Sequence, residues 1–87
     1  MPNRETNDPV LLALGALGWI LADPARAGRL LALTGLDPAD LRARAGDAAF
    51  QAEVLRFLEA HEPDLLAAAD AMGVAPADLV SARRSLA

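Results

Sequence analysis

His61 is the chain's single imidazole, and Glu59, Glu62 and Asp64 lie within three residues of it. A His among carboxylates is the raw material of a metal site or an acid–base pair. A metal needs three or four convergent ligands, however, and zinc typically takes more than one His or Cys. The chain has no Cys, which removes thiolate ligands, thiol nucleophiles and disulfides together. His61 is therefore read as a C-terminal cap of the helix before it, where an imidazolium meets the negative end of the helix dipole. An enzyme centred on His61 is the least favoured reading. Ser81 and Ser85 stand far from His61 in sequence and form no nucleophile arrangement with support. Gly15 and Gly18 are not a phosphate loop, since no strand precedes them and no Lys exists; they are expected to let another helix approach.

The remaining chemistry is guanidinium. All eight basic residues are Arg, and three groups stand out: Arg26 with Arg29, Arg42 with Arg44, and Arg83 with Arg84. A docking surface for a carboxylate- or phosphate-bearing partner is one reading, because the Arg fork fits both anions. The favoured reading is plainer: helix C-termini attract cations. A nucleic-acid face would also want aromatic residues for stacking. Trp19, Phe50 and Phe57 are expected in the core, with an interface role the alternative for Trp19. The formal net charge of -4 opposes binding to phosphate backbones.

What must position these residues is a set of helices. Alanine (21) and leucine (16) dominate the 87 residues, and β-branched residues total seven. That composition disfavours a sheet. Asp8-Pro9, Asp23-Pro24 and Asp37-Pro38 each set a capping carboxylate before a proline suited to the first helical position. Glu62-Pro63 and Ala75-Pro76 are weaker versions, and Asp47 starts a helix without proline. Gly35, Gly46 and Gly73 stand where left-handed caps are wanted. The predicted architecture is all-α, a bundle of six short helices at roughly 9–22, 24–34, 38–45, 48–61, 63–72 and 76–86. Residues 1–7 read as a loose tail and 8–87 as one domain.

The predicted inward faces are Ala27, Leu30, Leu31 and Thr34 in the second helix, and Phe50, Val54, Phe57, Leu58 and His61 in the fourth. Gln51 is placed off that face. Leu65, Leu66, Ala69 and Met72 form the stripe of the fifth, and Leu79, Val80 and Leu86 that of the sixth. The first helix is apolar all round, which requires a central position or a covering partner. Its uncharged run, Pro9 to Ala22, spans 14 residues, short of the roughly 20 a membrane crossing takes. Met1 to Asp8 lacks the positive excess of a signal peptide, so a cytoplasmic protein is expected.

Gly35-Leu36-Asp37-Pro38-Ala39-Asp40-Leu41 returns 38 positions later as Gly73-Val74-Ala75-Pro76-Ala77-Asp78-Leu79, with five of seven residues identical. Two readings stay open: an efficient helix–turn–helix used twice, or two pseudo-repeated three-helix halves.

The stretch Ala16-Leu17-Gly18-Trp19-Ile20-Leu21-Ala22-Asp23-Pro24, followed by Arg29-Leu30-Leu31-Ala32-Leu33-Thr34-Gly35-Leu36-Asp37-Pro38-Ala39-Asp40-Leu41-Arg42, resembles a family of small helical alphaproteobacterial proteins, domain of unknown function 3572. The resemblance covers nearly the whole chain after the tail. It implies a bacterial cytoplasmic protein with no assigned activity and no catalytic residues to carry over. It leans toward signalling, since genes of such proteins can lie beside that of a cell-cycle response regulator. Taken together, the residues and the resemblance predict a non-catalytic module that binds a protein partner or a second copy of itself. No cofactor, metal, membrane or small-molecule substrate is expected, and a nucleic-acid-associated regulator using the Arg-bearing helices is the alternative.

Overall fold

The computed structural model describes residues 8–86; the expected tail, 1–7, lies outside them. Six helices succeed one another along the chain: α1 (Pro9–Leu21), α2 (Pro24–Thr34), α3 (Pro38–Arg44), α4 (Ala48–Glu59), α5 (Glu62–Met72) and α6 (Pro76–Leu86). No strand occurs among the described residues. The all-α bundle predicted from composition and punctuation is the fold.

The Asp caps do what their placement suggests. Asp8 accepts from the Val10 and Leu11 N–H groups, Asp23 from Arg26 and Asp47 from Ala49. Asp37 and Asp40 form a reciprocal capping box, with bonds of 2.9 and 3.1 Å. Each satisfies backbone donors that the first helical turn leaves without an internal partner. Gly35 and Gly73 end α2 and α5 in the left-handed region, at φ 72° and 71°, where any side chain would be strained. Gly46 departs from the expectation. It is not among the positive-φ glycines, because α3 closes at Ala45 in right-handed geometry and Asp47 then caps α4 directly.

The core is built from α1, α4, α5 and α6. α4 packs along α6, α1 and α5, and α1 packs along α6, α4, α5 and α2. Phe50, Val54, Leu55 and Leu58 of α4 meet Ile20 and Ala16 of α1 and Leu79 of α6 in one fully buried cluster. The central position expected for α1 is thus met, and Leu12, Ala13, Ala16, Leu17 and Ile20 form its buried side. Its other side stays open, with Val10, Leu11, Leu14 and Leu21 exposed. No single helix is long and apolar enough to cross a membrane.

Three predicted faces shift. Gln51 is buried, and its Nε2 donates to the Ala45 carbonyl at 2.8 Å, tying the end of α3 to α4. That hydrogen bond meets the cost of burying the amide. Leu66 is half exposed, and Ala68 takes its place in the α5 interface. His61 does not belong to α4 at all, since that helix ends at Glu59.

α2 packs extensively along α1 only, and α3 packs extensively along no other helix. Buried Leu41 fixes α3 to the core. The two repeated turns are alike in detail: both glycines are left-handed, and Asp78 accepts from the Ala75 N–H at 2.9 Å as Asp40 does from Asp37. The helices that these turns launch are unequal. α3 has seven residues and sits at the edge; α6 has 11 and lies in the core.

Candidate functional site

The six arginines singled out by sequence fall into different environments. Arg26 lies flat on Trp19, its guanidinium carbon 3.6 Å from the ring centroid, and its Nη2 donates to the Trp19 carbonyl at 3.4 Å. A stacked guanidinium gains from the ring's negative face. Stacking also accounts for Arg26 Nε, which is buried without a hydrogen-bond partner among the described residues. Trp19 is half-buried: one part packs on the core and Arg26 covers another.

Arg29 donates from Nη2 to Asp64 Oδ2 at 2.8 Å and lies 5.4 Å from the Phe57 ring centroid. The same Asp64 oxygen is 3.1 Å from His61 Nδ1. Asp64 is the functional-looking residue that sequence reasoning passed over as a neighbour of His61. It is a buried carboxylate that joins α2 to the start of α5. Burial alone would raise its pKa. The hydrogen bond from Arg29, then that from His61, together with the nearby positive charge, outweigh burial and hold it below 3.8.

This geometry corrects the reading of His61. α4 ends at Glu59, with Ala60 as its C-cap, and His61 is the N-cap residue of α5. Its backbone is extended, at φ -139°, so the chain has left the helix before reaching it. The imidazole makes no cap hydrogen bond of its own and turns to Asp64. The physical reason is that Glu62 and Pro63 start a helix strongly, and a helix cannot run through the residues before its own N-cap. Among the described residues no group of three His, Cys, Asp or Glu side chains converges to hold a metal ion. The cation beside Asp64 is Arg29.

Arg83 is bidentate to Glu59, with Nε and Nη2 at 2.8 and 3.2 Å from the two carboxylate oxygens. This bridge fastens α6 to α4 and raises the Arg83 pKa further. Arg44 stands 3.7 Å from Asp47, a loose exposed pair. Arg42 and Arg84 are exposed and have no carboxylate within ion-pairing distance among the described residues. Arg42/Arg44 and Arg83/Arg84 occupy last turns, as the dipole reading expects. Their surroundings nonetheless set Arg42 apart.

Arg42 lines a groove of about 330 Å³ between the first three helices. Leu17 and Leu21 of α1, Ala27 and Leu31 of α2, and Pro38, Leu41 and Ala45 at α3 complete the walls. Arg42 is the one charged residue among those that line it. A wider depression of about 570 Å³ between α4 and the end of α6 is lined by Ala49, Ala52, Glu53, Arg56 and Leu86. It is shallow and carries both charge signs, so it lacks the one-sided character of the groove. The groove has no direct signature in the sequence, because its walls look like ordinary core positions. Leu17 and Leu41 do reach the core, and their outer edges form the floor.

A small all-helical protein with a closed four-helix core and an apolar groove beside it is the class that fold and site define. The chain belongs to the family described as "Protein of unknown function (DUF3572)", whose model matches residues 6–87. No match was found among curated proteins or among solved structures.

Proposed function

We propose that the protein is a non-catalytic interaction module that binds a protein partner in the groove between α1, α2 and α3. The observation that carries this reading is the groove's contiguous apolar lining, with Arg42 at its edge and no carboxylate paired to it among the described residues. Single exposed leucines are ordinary on a protein surface. A concave apolar surface walled by three helices gathers such side chains at one place, where a partner's apolar face could cover them at about 25 cal/mol per Å² buried. The arginines themselves argue for selectivity in where a partner docks. Arg26, Arg29 and Arg83 are engaged by Trp19, Asp64 and Glu59. Of the six arginines, Arg42 is the one that lines the apolar groove.

Sedimentation and affinity capture in the native host test the reading. One stoichiometric partner, displaced by Leu31→Arg, supports it. A strict monomer that captures nothing overturns it. Salt-dependent binding to a nucleic-acid duplex, lost in Arg42→Ala, would favour the nucleic-acid alternative instead.

A further inference from the structure

We propose that the outward side of α4 is a self-association surface whose occupant is a second copy of this chain, lying antiparallel across a twofold axis. Ala49, Glu53, Arg56 and Ala60 succeed one another at steps of four, three and four residues, so they share one stripe of the helix. All four are exposed. Ala60 continues the stripe because the cap of α4 keeps right-handed geometry there, at φ -71°. Ala49, Glu53 and Arg56 also line the depression that reaches Leu86 at the end of α6. Neither Glu53 nor Arg56 forms an ion pair among the described residues, although they stand three apart on one helix. Glu59 of the same helix, by contrast, is taken up by Arg83.

The order along the stripe is small, acid, base, small. A twofold axis passing midway between Glu53 and Arg56 reverses that order in the second copy. Each glutamate then meets the arginine of the other copy, and Ala49 meets the other copy's Ala60. An isologous contact needs a patch that complements itself, and this stripe does so in both charge and size. A parallel arrangement would instead set glutamate against glutamate and arginine against arginine, which costs binding. Alanine at both ends lets two helix axes run close along the stripe. A uniformly acidic or basic partner would leave one of the two charges unmatched, and a nucleic acid would meet Glu53. The outer side of α1 exposes more apolar surface, but it holds no charge whose order selects an occupant. From Ala49 to Ala60 the stripe runs about 16 Å, so the contact belongs to the small, transient class of interfaces.

Sedimentation of the full chain over a concentration series up to about 1 mM tests the proposal. A monomer–dimer equilibrium that added salt weakens is expected. Glu53→Arg sets like charges across the axis twice, and so does Arg56→Glu; each is expected to weaken the dimer by more than about tenfold. Mixing the two variants one to one restores both opposite-charge pairs, so a mixed dimer is expected at concentrations where neither variant dimerises alone. Both positions are exposed, and circular dichroism checks that each variant stays folded. The absence of Cys from the chain allows a readout independent of charge. Chains carrying Ala49→Cys and chains carrying Ala60→Cys, mixed under mild oxidation, are expected to cross-link to each other in preference to themselves. A strict monomer at about 1 mM, a charge-swapped mixture that stays monomeric, or preferred cross-linking of Ala49→Cys chains to themselves overturns the proposal. Leu31→Arg, in the groove, is expected to leave the dimer intact. A dimer that this change dissolves forms through the groove, which overturns the proposal while the interaction reading stands. A dimer through α4 with no partner captured at the groove upholds the proposal while that reading falls.

Discussion

Leu41 and Leu79 hold the same place in the repeated turn, and truncating each to Ala measures whether the two halves are as unequal as their packing. Leu79 is 0% exposed and sits on α6, against α1 and α4. Removing its side chain deletes about three buried carbons, a loss of about 2 kcal/mol by transfer alone. The space left is enclosed by three helices that hold one another in place, so it cannot collapse far. A cavity contribution of about 1–2 kcal/mol adds to the transfer loss, and the total falls at about 3–4 kcal/mol. Leu41 is 5% exposed and lies under the groove, on a helix that packs extensively along no other. Its removal opens a hollow already continuous with solvent, and α3 is free to settle inward. The transfer loss of about 2 kcal/mol is the whole expected effect.

An 87-residue domain has only about 4–13 kcal/mol of stability to lose. At about 4–8 °C per kcal/mol, the two variants should melt at least about 4 °C apart, with Leu79→Ala the lower. Urea titration followed by far-ultraviolet circular dichroism and by Trp19 fluorescence gives the same comparison at constant temperature. Equal m-values in the two variants would license direct subtraction. If Leu41→Ala costs as much as Leu79→Ala, α3 is clamped as firmly as α6. The open groove would then be absent in solution, and with it the proposed docking surface.

Local geometry sets two further outcomes. Gly18→Ala should stabilise by about 0.5–1 kcal/mol, because a Cβ there meets nothing within 4 Å and helix-interior glycine costs backbone entropy; Gly35→Ala, at φ 72°, should destabilise by about 1–2 kcal/mol, and thermal melts of both variants check the opposite signs. Asp64 has a folded pKa held below 3.8, so its ionised form contributes stability that is full well above that value and is lost as pH falls through the lower folded pKa; denaturation at pH 7 and again near pH 2 should show Asp64→Asn penalised at the first and converging on the parent at the second, and a penalty that grows on acidification would contradict the assignment.

Most of the architecture is legible in the sequence because its signals are local. An Asp before a proline, a glycine at a helix end and an apolar residue every third or fourth position each act within one or two turns. Asp8, Asp23, Asp37 and Asp47 cap the helices that their positions predict. The errors arise where local signals compete or where a distant partner decides. His61 lies between the end of one helix and the start of another, and Pro63 claims it for the second. Gln51 looks polar and outward until the Ala45 carbonyl is brought within 2.8 Å. The arginine pairs look equivalent in sequence, but Glu59 engages Arg83 and no carboxylate engages Arg42 among the described residues. The 35-residue separation of Arg29 and Asp64 is invisible to any reading by periodicity.

The groove itself arises where one helix is forced to stop. After the shared turn, α6 continues for 11 residues, about 16 Å, enough to lie along both α1 and α4. α3 has seven, about 10 Å. It cannot continue, because Asp47 leaves the helix to cap α4, and its carboxylate serves the Ala49 N–H. A helix this short buries one leucine and little else, so Leu41 is the whole of α3's buried face. The walls of α1 and α2 that a longer α3 would have drawn together stay apart, and Leu17, Leu21, Ala27 and Leu31 line an open groove. Apolar side chains at these positions cost the isolated chain solvation that polar residues would avoid. Leu17 serves the core as well, so in the proposed docking it is the more exposed Leu21, Ala27 and Leu31, beside Arg42, whose apolar character core packing accounts for least.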